Sequence, residues 1–215
     1  MVNVYLGDTM NTNAKIIERT MRKKRTFIEL NKLKKEGVLF DIIPELQIIH
    51  KKHYNVKNTK DILQHSFNVV SNLKKIEMET KLNISNELYW AGLLHDIGKP
   101  FVAKYNKYKK RYMFIGHEYF SVANSYIILK RLGKPIESIE KTNVLIKYHM
   151  KLGGDLTTKR LKLMTDELNF FNSSLQELYI LYFCDTSFPI KKKRNILIYD
   201  FTPEELISFM NKNYY

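Results

Sequence analysis

Residues 91–100 read "AGLLHDIGKP". An apolar run ends on a histidine and an aspartate, His95 and Asp96, and Gly98 and Pro100 follow as helix-stopping punctuation. Upstream, Leu88, Ala91, Gly92 and His95 share one helical face while Trp90, Leu93 and Leu94 cover much of the rest, so the spacing predicts a central helix shielded from water. An ionised carboxylate on such a helix is costly unless a cation sits beside it. Two adjacent polar side chains at a helix terminus also converge on one point more easily than in mid-helix.

The same conflict between chemistry and burial recurs twice. In "DILQHSFNVV" His65 lies on a stripe with Ile62, Val69, Leu73 and Ile76, and in "ELYILYFCDTSF" Asp185 closes a stripe made by Leu178, Leu181 and Tyr182. One histidine on an apolar face is commonly an ordinary core residue. Two histidines and two aspartates on the inward faces of three helices share a burial cost that one bound cation would relieve, in a mixed nitrogen and oxygen site. His117, in "FIGHEYFS", and His149, in "LIKYHMKLGG", stand at helix ends and are open to three uses: ligating a second metal, binding phosphate, or packing. His50 and His53 flank the basic "HKKH" and read as a solvated face.

Apolar residues recur at helical spacing almost throughout and strand-like alternation is scarce, which predicts an all-α fold, a helical bundle. Helices are expected near 12–36, 41–52, 59–78, 85–97, 116–132, 135–151, 158–171, 173–187 and 202–212, separated by Gly37, Asn58, Gly98, Gly133, Gly153 and Pro189. Residues 99–115, "KPFVAKYNKYKKRYMFI", form the longest irregular stretch and read as a loop or short hairpin, of a length that is more often functional than idle. The expected organisation is an N-terminal helical extension over 1–40, a main domain over 41–188 and a C-terminal extension over 189–215 on the same globule.

The 215 residues suffice for one self-supporting core, and 44% hydrophobic content argues for a packed globule. The single cysteine, Cys184, excludes an internal disulfide framework and reads as a buried thiol, for which a reducing cytoplasm is the natural setting. The N-terminus lacks the pattern of a secretory signal, and no apolar run approaches the roughly 18 residues of a membrane span. The net charge of +14 suits an anionic, phosphate-bearing partner such as a nucleotide or RNA, although only seven of the 36 basic residues are arginines and lysine bias contributes.

Taken in order, His65, His95 with Asp96, His117, His149 and Asp185, separated by 30, 22, 32 and 36 residues, resemble the signature of the HD superfamily of metal-dependent phosphohydrolases. Within it the chain is most similar to the C-terminal HD domain of bacterial tRNA nucleotidyltransferases, the CCA-adding enzymes, from "PELQIIH" through "DILQHS", "LLHDIGKP", "FIGHEYFS", "LKRLGKP" and "LIKYHM" to "LYFCD". No paired-aspartate strand of a nucleotidyltransferase head is found, so CCA addition is not expected. The resemblance implies a helical bundle holding one or two divalent ions (Mn, Fe, Co, Ni or Mg) between helices. It implies that His65, His95, Asp96 and Asp185 bind the first ion and that His117 and His149, with Asp96 bridging, bind the second.

The expected activity is metal-dependent hydrolysis of a phosphoester, as a phosphodiesterase or phosphatase acting on a nucleotide, a cyclic nucleotide or an RNA terminus. A hydroxide from metal-acidified water attacks phosphorus in line, with Asp96 and Lys99 as catalytic groups. Lys99 is expected to reach a phosphate oxygen, and Lys109, Lys110 and Arg111 to cover the substrate as part of a basic lid. Two alternatives stand beside this: a nucleoside triphosphohydrolase, and a nucleic-acid-binding protein using the fold as a scaffold, with "MRKKR" (21–25), "HKKH" (50–53) and "KKKR" (191–194) as its surface. Oligomeric state is not legible in the sequence.

Overall fold

The computed structural model describes residues 2–50, 61–153 and 157–186, with side chains from Thr12 onward. Among these residues the chain forms eleven α-helices and one small hairpin: α1 (Val2–Met21), α2 (Thr26–Lys35), α3 (Val38–Ile42), α4 (Leu46–His50), α5 (Ile62–Thr80), α6 (Asn86–Leu94), α7 (Lys99–Val102), β1 (Lys104–Asn106), β2 (Arg111–Met113), α8 (His117–Arg131), α9 (Ile136–Tyr148), α10 (Thr158–Phe170) and α11 (Leu175–Asp185). A single 3-10 turn, Lys151–Gly153, follows α9. The all-α expectation holds, with a two-stranded antiparallel ribbon as the only sheet among the described residues. None of the helices is long and apolar enough to cross a membrane.

The central helix is α6, buried from Leu88 through Leu94 on every side. Helices α5, α9 and α11 pack around it, and α8 lies against α9. Gly92 lets α5 come close, since a Cβ there would stand 2.9 Å from Leu73 Cδ1. Ala14, Ile17, Met21 and Leu30 of α1 and α2 join the same core. Side-chain caps fix the starts of the helices that frame the site: Asp61 accepts from Leu63 N–H at α5, Ser85 from Leu88 N–H at α6, and Ser174 forms a capping box with Glu177 at α11.

Several boundaries differ from the periodic reading. The helix expected over 12–36 is two, broken at residues 22–25, where a run of four charged side chains leaves no apolar face to bury. Arg22 turns inward instead, donating to Glu77 (3.0 Å), Asn86 (2.9 Å) and the Ile84 carbonyl (2.8 Å). So this part of "MRKKR" is structural and is not part of a free basic surface. The helix expected over 41–52 divides at Pro44, which holds Ile43 out of the helical region (φ −131°, ψ 76°). His50 is only partly solvated: its ring stacks on Phe40 and its Nδ1 lies 2.5 Å from Asp61, the cap of α5. His53, the helix expected over 202–212, the extension 189–215 and "KKKR" fall outside the described residues.

Candidate metal centre

The central helix stops earlier than its apolar pattern suggests. α6 ends at Leu94 and His95 is its C-cap, so His95 and Asp96 occupy tight turns rather than the helix itself. Gly98 is not a left-handed helix stop, because its φ is −77°. Its task is close approach: a Cβ at this position would sit 2.2 Å from the His117 carbonyl and 2.5 Å from the Ser121 nitrogen. The Gly98 N–H donates to the Ser121 hydroxyl at 2.9 Å, which locks the turn onto the first turns of α8. Pro100 opens the short α7 instead of ending α6, a position where its missing N–H costs nothing.

This arrangement brings all six expected ligand residues together. Asp96 is the centre: its Oδ2 lies 3.2 Å from His95 Nε2 and 3.6 Å from His65 Nε2, and its Oδ1 lies 3.2 Å from His117 Nε2 and 3.9 Å from His149 Nε2. Asp185, at the end of α11, places Oδ1 2.7 Å from His65 Nε2 and 3.4 Å from His95 Nε2. Two groups of donor atoms result, each within 4.8 Å: His65, His95, Asp96 and Asp185, and then Asp96, His117 and His149. One carboxylate belongs to both.

Three of the four rings are oriented by the main chain. His95 Nδ1 donates to the Gly92 carbonyl (3.0 Å), His117 Nδ1 to Phe114 (2.7 Å) and His149 Nδ1 to Ile146 (2.7 Å), each carbonyl three residues upstream. A carbonyl only accepts, so Nδ1 carries a hydrogen and Nε2 is the ring atom turned into the cluster. His95 and His149 are fully buried, whereas His65 is 28% exposed and forms the open side.

Two carboxylates buried this deep stay ionised only because positive charge surrounds them. Burial pulls His95 down, but Asp96 and Asp185 outweigh it and hold that imidazole up to about 10. Burial and the charge on His95 push His149 down to about 4. Asp96 and Asp185 resist burial and stay well below the usual carboxylate range, Asp96 chiefly through His95 and Lys99, Asp185 through a hydrogen bond from His65 and the charge on His95. Lys99 folds back with Nζ 2.5 Å from Asp96 Oδ2 and over the Phe114 ring. Even so, His95 Nε2 and Asp96 Oδ1 are buried without a hydrogen-bond partner. Two buried polar atoms left without a hydrogen bond, in a set of imidazoles and carboxylates without thiolate, fit divalent metal.

A family model described as HD domain matches residues 62–169, half of the chain. The chain belongs to the HD domain family. A CC-adding tRNA nucleotidyltransferase of Thermus thermophilus is 26% identical over 134 residues, which are 62% of this chain and 30% of that protein. The match to the HD domain family includes His65, His95, Asp96, His117 and His149 but ends before Asp185, whose membership of the cluster therefore rests on geometry.

Lys109, Lys110 and Arg111 lie elsewhere, exposed on the turn and outer strand of the hairpin. Among the described residues the six clustered side chains pair with one another, with Lys99 and with backbone carbonyls, and at strand rise Lys110 lies about 13 Å of chain from Phe114. Some participants had no signal in residue type alone. The carbonyls of Gly92, Phe114 and Ile146 fix the rings, and Ser121 holds Gly98. Glu118, buried beside His117 Nδ1 (3.7 Å) and paired with Lys151 (2.9 Å), was adjacent in sequence to a named histidine, which was the available hint.

Proposed function

We propose that this HD domain protein hydrolyses phosphoesters of nucleotides, cyclic nucleotides or RNA termini, as a phosphodiesterase or phosphatase. The observation that carries the reading is Asp96, a buried carboxylate whose two oxygens face two separate groups of imidazole nitrogens. His65, His95, Asp96 and Asp185 would hold one divalent ion, and Asp96, His117 and His149 a second. Ions bound there supply Lewis acidity toward phosphoryl oxygens and acidify water near neutral pH.

The protein's own groups set the remaining conditions. The backbone carbonyls hold three imidazoles with Nε2 toward the cluster, so the rings need not turn on binding. Burial of His95, Asp96 and His149 keeps the site in a low dielectric, where charge interactions with a phosphoryl group are strong. Entry is from the side of His65 and Lys99. Lys99, whose charge now neutralises Asp96, becomes available for a phosphate oxygen once a metal supplies that charge.

The test is a panel of 2′,3′-cyclic, 3′,5′-cyclic, terminal-monophosphate and triphosphate substrates, assayed with added Mn, Co, Ni or Mg. Turnover that requires metal and disappears in the His95→Ala, Asp96→Ala double variant supports the reading. Cleavage of triphosphates alone would replace it with a triphosphohydrolase, and undiminished turnover by the double variant would remove the site assignment altogether.

A further inference from the structure

Between Asp96 and Glu118 the chain has no acidic residue, while it carries Lys99, Lys104, Lys107, Lys109, Lys110 and Arg111. The structure folds about half of this segment into a ribbon: β1 pairs with β2 through Lys104 with Met113, Tyr105 with Tyr112, and Asn106 with Arg111. Cross-strand pairing sets Tyr105 and Tyr112 on one face, their rings 5.3 Å apart, and Tyr108 at the turn is 99% exposed. At the base of the ribbon Phe101 and Phe120 stack nearly parallel, 5.7 Å apart at 7°, and remain 49% and 45% exposed.

Exposed aromatic surface of this kind costs solubility, and nothing in the core explains it. We infer that the ribbon 104–113 and the Phe101 and Phe120 pair form a binding platform for single-stranded nucleic acid, leading a strand toward the metal cluster. Aromatic faces offer stacking to unpaired bases, and the interleaved cations follow the phosphates between them. A duplex keeps its bases stacked on one another and would use the charges alone. An acidic protein would answer the lysines and leave the rings without a partner.

The platform is also joined to the cluster. Phe114, directly after β2, presents its carbonyl to His117 Nδ1 and its ring to Lys99, and Phe120 lies on α8 one turn beyond His117. Basic and aromatic groups recur along the roughly 13 Å of strand from Phe114 to Lys110, which offers a polymer successive contacts. The inference rests on the phosphoester reading for the direction of the strand, and its binding test does not depend on turnover.

The test is fluorescence anisotropy of the full chain in EDTA with a labelled dodecamer, single-stranded or in a duplex. Tyr108→Ser should weaken single-strand binding about 10-fold. Combining Lys107→Ser, Lys109→Ser and Lys110→Asn should lower the slope of log affinity against log salt by about 2; asparagine suits the positive φ of 49° at residue 110. Circular dichroism checks that these surface variants stay folded. Absent binding, equal affinity for the duplex, unchanged affinity in both variants, or equal competition by oligoglutamate would each overturn the platform. A chain that binds the single strand but hydrolyses no phosphoester keeps the platform and loses the enzyme reading; hydrolysis of mononucleotides without strand binding does the reverse.

Discussion

His117 and His149 face each other with their Nε2 atoms 3.2 Å apart, while the Nδ1 of each donates to a backbone carbonyl. Two lone pairs at that distance repel unless a proton or a metal ion stands between or beside them. The pair is thus arranged for a shared positive charge, and Asp96 Oδ1 completes its third side.

The first prediction concerns stoichiometry. His117→Ala should reduce bound Mn or Co from two ions per chain to one, because the group of His65, His95, Asp96 and Asp185 survives intact. His95→Ala combined with Asp96→Ala should reduce it to none. Metal analysis after dialysis reads both, and two ions retained by His117→Ala would refute the division.

Metal affinity should rise with pH. His95 must be neutral at Nε2 to ligate, yet in the metal-free protein it holds its proton up to about 10. The proton and the metal compete across the neutral range, and raising pH removes the competitor. Calorimetry in buffers of different ionisation enthalpy should show proton release on metal binding at pH 7; buffer-independent heats would contradict it.

Lys99→Ala should separate binding from turnover. The ammonium now sits on the shared carboxylate, so its removal frees Asp96 and should tighten metal binding on the order of 10-fold. Turnover of the loaded protein should fall, on the order of 100-fold, if Lys99 holds a phosphate oxygen as proposed. Weaker metal binding in this variant would show that the lysine positions the cluster rather than competing for it.

Gly98→Ala should damage both fold and site. The added methyl meets backbone atoms of α8, which cannot rotate away, and the expected destabilisation is about 1–3 kcal/mol or more by chemical denaturation. Because α8 carries His117, the His117 and His149 group should lose its ion first. Ser121→Ala leaves the Gly98 N–H buried without an acceptor and should cost about 1–3 kcal/mol.

A stability prediction away from the cluster tests how α1 is anchored. Glu18 accepts from the fully buried Trp90 indole at 2.9 Å and from Lys134 at 2.6 Å. Glu18→Ala should cost about 2–3 kcal/mol, and Glu18→Gln distinctly less, as the indole keeps an acceptor.

The parts of this molecule legible in the sequence are those where burial conflicts with polarity. His65, His95, Asp96 and Asp185 stood out because apolar neighbours at helical spacing placed them inside, and inside they needed a cation. The helices framing them were readable for the same reason, since their stripes are long. Residues whose meaning depends on a distant partner were not. Gly98 looks alike whether it ends a helix or lets another helix approach, because both need only a missing Cβ. Arg22 and His50 sat in basic runs that read as solvated, and it is Glu77 and Asn86 for the first and Asp61 for the second that draw them partly out of water. Pro44 was present to be read, but the apolar pattern around it overrode the signal.

The His65 and Asp185 contact spans 120 positions of the chain and joins the first and last of the ligand-bearing segments. During synthesis five of the six groups leave the ribosome well before α11 does, so a nascent or prematurely ended polypeptide carries an imidazole awaiting its carboxylate. The cluster is therefore completed late, with the docking of the last described helix.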